Sequence, residues 1–130
     1  MKQNHEKLAG EWMQRARSDF KYAKAGEKET GQHHITCFLC HQAAEKSLKG
    51  LLVLENIPPP KTHHLGILLG KALPFYSDLA SIQKEVRKLD KFYIPARYPD
   101  DTFLEFTDED ARQALETAEK CLSICGKALL

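Results

Sequence analysis

The stretch His33-His34-Ile35-Thr36-Cys37-Phe38-Leu39-Cys40-His41-Gln42-Ala43-Ala44-Glu45-Lys46-Ser47-Leu48-Lys49-Gly50-Leu51-Leu52-Val53-Leu54-Glu55-Asn56 decides the fold. Cys37, His41, Ala44, Leu48, Leu51 and Glu55 recur at three- and four-residue spacing, and Phe38, Glu45 and Leu52 widen the stripe. That period is helical; a strand would alternate at every second residue. Only Gln42, Lys46 and Lys49 make a polar strip. A helix that is apolar around most of its circumference needs partners on several sides, so residues 33–56 are expected to form the central helix of a bundle. Pro58, Pro59 and Pro60 are expected to end it, because proline lacks the amide donor and disfavours helix in the residue before it.

Outward from that centre, Leu8, Trp12, Ala16 or Asp19, and Ala23 mark a first helix that fades at Gly26, with the polar run 27–32 as the connecting loop. On the other side, Thr62 is placed to cap a third helix carrying Leu65, Leu68, Leu69 and Leu73, which Pro74 limits. Leu79, Ile82, Val86, Leu89 and Tyr93 suggest a fourth, and residues 94–106, with Pro95 and Pro99, read as an ordered loop. Thr107-Asp108-Glu109-Asp110 offers a capping hydroxyl and three carboxylates where a helix dipole favours negative charge. A fifth helix follows, with Ala111, Ala114, Ala118, Cys121, Cys125 and Ala128 as a stripe of small residues suited to close approach to the first or second helix. The expected fold is all-α: an up-and-down bundle of about five helices, a single domain over 1–130 with its core at about 11–128.

A chain of 130 residues with 42% hydrophobic and 28% charged residues has enough apolar surface for a core without disulfides or metal. Nineteen basic against eighteen acidic side chains leave almost no net field, which argues against a dedicated duplex-binding surface but not against a local basic patch. The start MKQNHEKLAG has no apolar leader region and no later stretch is long enough to span a membrane, so the expected location is the cytoplasm, away from any membrane. In that compartment Cys37, Cys40, Cys121 and Cys125 stay reduced. Cys37-x-x-Cys40 and Cys121-x-x-x-Cys125 offer four thiolates for zinc, but both pairs lie inside helical stripes, where buried cysteine acts as a small hydrophobe; core packing is the expectation, with no metal and no cofactor.

Of the six histidines, His33, His34, His63 and His64 lie at expected helix starts, where exposed polar residues are common. His41 differs: it lies on the apolar stripe one turn before Glu45, whose carboxylate can orient its ring, so it reads either as a satisfied core or interface histidine or as part of a site. Asp19 and Glu45 are carboxylates on apolar faces and need partners there. They read as ion pairs with Arg15, Lys46 or Arg97, or as the walls of a polar cleft. No P-loop, dinucleotide-binding glycine motif or nucleophile elbow is present in the sequence.

Three segments in order, Trp12-x-x-x-Ala16-x-x-Asp19-Phe20-x-x-Ala23, then Cys37 to Lys49, then Ala96-Arg97-Tyr98-Pro99-Asp100, with Thr62-His63-x-Leu65 between, resemble the higher eukaryotes and prokaryotes nucleotide-binding (HEPN) domain. The likeness runs from about Glu11 to Ala128. It implies a helical bundle that commonly forms homodimers and is often paired with a minimal nucleotidyltransferase as a toxin and antitoxin system. Active toxins of that family are similar to metal-independent ribonucleases with an Arg-x(4–6)-His motif. Arg97 matches the arginine, but Thr102, Phe103 and Leu104 stand where the histidine belongs, and no histidine follows His64. Arginine alone cannot take up a proton near neutral pH. The resemblance therefore implies a non-catalytic nucleotide-, RNA- or partner-binding module that dimerises. Its candidate ligand residues are Arg97, Tyr98, Asp19, His41, Gln42, Glu45 and Lys46, and Arg97 reads equally as a phosphate anchor or as a tie between loop and helix. The alternative is a HEPN ribonuclease toxin with a rearranged site built from Arg97 and His41.

Overall fold

A computed structural model describes residues 2–93 and 105–129. Among them are helices α1 (Lys2–Thr30), α2 (His33–Leu54), α3 (Leu65–Ala72), a 3-10 helix (Ser77–Ile82), α4 (Gln83–Asp90) and α5 (Asp108–Ala128), and no strand. The all-α bundle of five helices is as expected. No helix among these residues is long and apolar enough to cross a membrane.

α2 is the centre, burying Cys37, Cys40, Ala44, Leu48, Leu51, Leu52 and others from every side except the strip at Gln42, Lys46 and Lys49. α1 lies antiparallel to it: Glu27 meets Thr36, Asp19 meets Lys46, and Ala9 and Trp12 meet Gly50. At that last crossing a Cβ on Gly50 would stand 3.2 Å from Trp12 Cβ and 3.3 Å from the Ala9 carbonyl oxygen, so glycine lets the two helices touch. α5 runs in the same direction as α2, His33 facing Asp108 at the start and Ser47 facing Cys121 further along, and it also packs on α1. Its expected small stripe is the buried face, and Thr107 and Asp110 form a reciprocal capping box. All four cysteines are buried and unpaired in this core.

Several local expectations are corrected. The buried stripe of α1 is Ala9, Met13, Ala16 and Ala23, one position on from Leu8 and Trp12; Leu8 is exposed. The helix continues through the polar run to Thr30, because lysine and glutamate are good helix formers and Glu27 is held from α2 by His33 and Thr36; only Gly31, at φ +64°, and Gln32 turn the chain. α2 stops two residues before 56 and ahead of the prolines: Asn56 adopts φ +59°, its N–H donates to the Val53 carbonyl and that of Ile57 to Leu52. This is a Schellman stop with asparagine in the left-handed position. Thr62 does not cap α3, which begins three residues later; the Leu65 N–H donates to Asp90 Oδ1 at 3.0 Å, a cap supplied from α4. The fourth helical stripe is buried as expected, but its first turns are 3-10 up to Ile82.

Candidate functional site

Four elements converge on the middle of α2. His41 is fully buried, and its Nε2 lies 3.0 Å from Asp90 Oδ1 at the end of α4. Burial pushes the Asp90 carboxyl up, but hydrogen bonds from the His41 ring and from the backbone N–H groups of Leu65 and Gly66 outweigh it and hold the group below the usual carboxylate range. Asp90 thus stays anionic while it joins α2, α3 and α4. With Nε2 donating to Asp90, His41 Nδ1 faces Glu45 Oε1 at 3.9 Å, outside hydrogen-bond range, and has no partner.

Glu45, one turn on, is only 5% exposed. Its Oε2 accepts from Lys49 Nζ at 2.9 Å, and His63 Nδ1 approaches both oxygens, at 3.0 and 3.2 Å. The His63 side chain is 55% exposed. Its ring lies nearly flat on Tyr93, centroids 4.9 Å apart and planes 13° apart, and Tyr93 also leans on His41 and Phe38. Lys49 stands 5.9 Å over the Trp12 ring, extending the patch toward α1. The result is a buried carboxylate with a cation on one side and a partly exposed, aromatic-backed imidazole on the other. Tyr93 is the last described residue before the segment that carries Arg97.

Among the expected cleft residues, Asp19, His41, Glu45 and Lys46 fall into separate pairings. Asp19 and Lys46 pair with each other at 2.7 Å across the α1–α2 face, as one reading of the sequence had it. Among the described residues Glu45 pairs with neither Arg15 nor Lys46; it takes Lys49, an i,i+4 neighbour, and His63. Gln42 is half-buried, with Oε1 enclosed and unpartnered. Arg97 and Tyr98 lie outside the described residues. Three members were missed: Lys49, assigned to the solvated strip; His63, assigned to an exposed helix start; and Asp90. The Glu45–Lys49 spacing could have found the first, whereas His63 and Asp90 come from 18 and 49 residues away along the chain from their partners Glu45 and His41.

A second histidine lies between carboxylates where α1, α2 and α5 meet. His33 Nδ1 is 2.8 Å from Glu27 Oε2 and its Nε2 is 2.8 Å from Asp108 Oδ1. These three side chains are the one group among the described residues whose ligand atoms cluster tightly enough for a single cation. Both ring nitrogens already face carboxylates, so the trio acts as a tie between helix ends. Cys37 and Cys40 offer no better donor set: burial first, then the nearby Asp110 and Glu27, pushes the Cys37 thiol up to about 12, and Cys40 is raised as well by burial, so neither is a ready thiolate.

A family model described as HEPN domain matches residues 9–128. Among solved structures, the chain is similar to TT1696 from Thermus thermophilus, with 30% identity, a TM-score of 0.81, and 92% of this chain and 96% of that one covered. It is also similar to ST0689, an archaeal HEPN homologue, with 27% identity, a TM-score of 0.76, and 94% and 98% covered. No curated protein matches it.

Proposed function

Because the chain belongs to the HEPN domain family, we propose that it is a binding module of that family, one that holds a phosphate-bearing ligand, nucleotide or RNA, and works as a homodimer beside a minimal nucleotidyltransferase in a toxin-antitoxin-like pair. The observation that carries this reading is the half-exposed His63 ring stacked on Tyr93, with a cation, Lys49, on the same carboxylate. A flat aromatic face beside basic groups suits a base and its phosphate, and Arg97, four residues beyond Tyr93, adds a planar donor fork for phosphate. Cleavage through the family's arginine–histidine pair is closed to this chain, since residues 102–104 hold no imidazole. A rearranged pair of Arg97 with His41 is not favoured either, because His41 is fully buried and its Nε2 is committed to Asp90.

The test is fluorescence anisotropy with labelled single-stranded RNA and with mononucleotides, run beside light scattering and co-purification from the native host. Binding that weakens at least about tenfold in Arg97→Ala, the loss of one charge-assisted contact, is the expected result. No binding of either ligand, or a monomer at micromolar concentration, rejects the corresponding part of the reading.

A further inference from the structure

Between α4 and α5 lies a cavity of about 260 Å³ that shares no lining residue with the patch on α2. Glu85, Lys88 and Leu89 of α4, with Phe92 just past its end, recur at three- and four-residue spacing and form one wall. Gln113, Thr117 and Lys120 of α5 repeat that spacing on the other. Two of these groups lack a partner that their burial calls for. The Glu85 carboxylate is half-buried with Oε2 enclosed, and it has no hydrogen bond or ion pair among the described residues. A carboxylate taken partly out of water needs a cation or donors to offset the loss. The Thr117 hydroxyl belongs to a residue only 6% exposed and makes no hydrogen bond among the described residues. Lys88 and Lys120 form no ion pair there either, whereas Arg112 on the same wall is already held by Glu109 and Glu116. Buried Leu89 and Ala114 supply an apolar floor.

We propose that this cavity binds a free α-amino acid with an apolar side chain. The ligand it calls for is a cation beside an anion on an apolar body. Glu85 takes the ammonium group, which donates to the carboxylate and offsets its burial. Lys88, and Lys120 from the opposite wall, take the ligand's carboxylate, and the Thr117 hydroxyl gives it one further hydrogen bond. Glu85 and Lys88 stand one helical turn apart, so the ligand's two charges must be close neighbours, as they are on a single Cα. The side chain then covers Leu89, Ala114 and Phe92. Drug-sized ligands usually occupy about 300 to 1,000 Å³, so a cavity of about 260 Å³ suits one amino acid and is small for a nucleotide. A phosphate, moreover, has no positive end to offer Glu85 and is repelled by it. The proposal is therefore independent of the ligand assigned to the patch on α2, and either can fail alone.

The experiment is calorimetric titration of the full chain with L-leucine and L-phenylalanine, and with the N-acetyl and amide derivatives of each. At least one of the two amino acids is expected to bind with a Kd below about 1 mM. Its N-acetyl form, without the ammonium, and its amide, without the carboxylate, are each expected to bind at least about tenfold more weakly, the loss of one charge-assisted contact. Glu85→Gln is expected to weaken binding by the same factor with an unchanged thermal unfolding curve, and Lys88→Ala by less, because Lys120 remains. Backbone amide shifts of the wild-type chain on adding the amino acid should centre on residues 85–92 and 113–120, a readout that needs no variant to fold. Neither amino acid binding, an N-acetyl form binding as tightly as its parent, shifts centred elsewhere, or a folded Glu85→Gln that binds like wild type each overturns the proposal.

Discussion

The corner where His33 meets Glu27 and Asp108 and the patch where His63 meets Glu45 use the same residue types, yet they differ in what is left over. His33 has a carboxylate at each nitrogen, and nothing of the ring remains for a ligand. His63 gives Nδ1 to Glu45 on a side chain that is half exposed. Between them, His41 gives one nitrogen to Asp90 and keeps the other enclosed. Counting acceptors around each ring, and asking how exposed it is, separates a tie and an enclosed ring from one with a nitrogen to spare more reliably than counting histidines.

The comparison breaks first at Asp90. Replacing it with alanine removes the acceptor of a buried imidazole and of the N–H groups opening α3, and is expected to cost about 3 kcal/mol in denaturant unfolding. Asp90→Asn, which keeps one acceptor, is expected to cost less. Since the folded carboxyl titrates below its unfolded value, the stability it contributes is present above about pH 4 and lost as pH falls through the folded value; a stability-pH curve of Asp90→Asn should flatten in that acid window. If Asp90→Ala unfolds no more easily than wild type, the inner cluster is no better anchored than the outer corner.

Packing predictions come next in size. Gly50→Val drives a branched side chain into Trp12 and the Ala9 carbonyl and is expected to cost about 1 to 3 kcal/mol by thermal or denaturant unfolding. Replacing the four cysteines with alanine is expected to cost roughly 1 to 3 kcal/mol as a packing loss, with no change in zinc content by elemental analysis. Native Cys37 should resist alkylation at pH 8, since its thiol is pushed up to about 12 by burial. The smallest effect is at the corner: Asp108, with 94% of its side chain exposed, should change stability by no more than about 0.5 kcal/mol when replaced by alanine. A larger loss there would make the corner more than a surface tie.

The bundle was legible because each element announced itself within a short window: the all-round apolar α2, the small stripe of α5, the Thr107–Asp110 box. Glu45 was legible as a carboxylate out of place on an apolar face, and His41 as its neighbour one turn away. Their real partners were not. Asp90 lies on a helix whose period shows only Val86 and Leu89 facing inward, and nothing local tells that its carboxylate caps α3. His63 looked like any polar residue at a helix start, because the loop that brings it back over α2 leaves no periodic trace. On α1 the buried register is Ala9, Met13, Ala16 and Ala23, and the crossing at Gly50 brings the Ala9 carbonyl and the Trp12 Cβ together against α2, a backbone-level fit that side-chain size along the helix does not reveal.

The stop at Asn56 has a consequence for how cheaply His63 is presented. From Ile57 the chain passes through Pro58, Pro59 and Pro60, each with a fixed φ, and reaches His63 beside the helix it has just left. Prolines in such a connection have few conformations to lose when the chain folds, so much of the ordering cost of bringing the imidazole to Glu45 is already met in the unfolded chain. Loosening that connection with glycines would leave every contact of the folded site in place and still lower the fraction of time the ring spends docked. The three prolines act as a spacer that sets the effective concentration of His63 at Glu45.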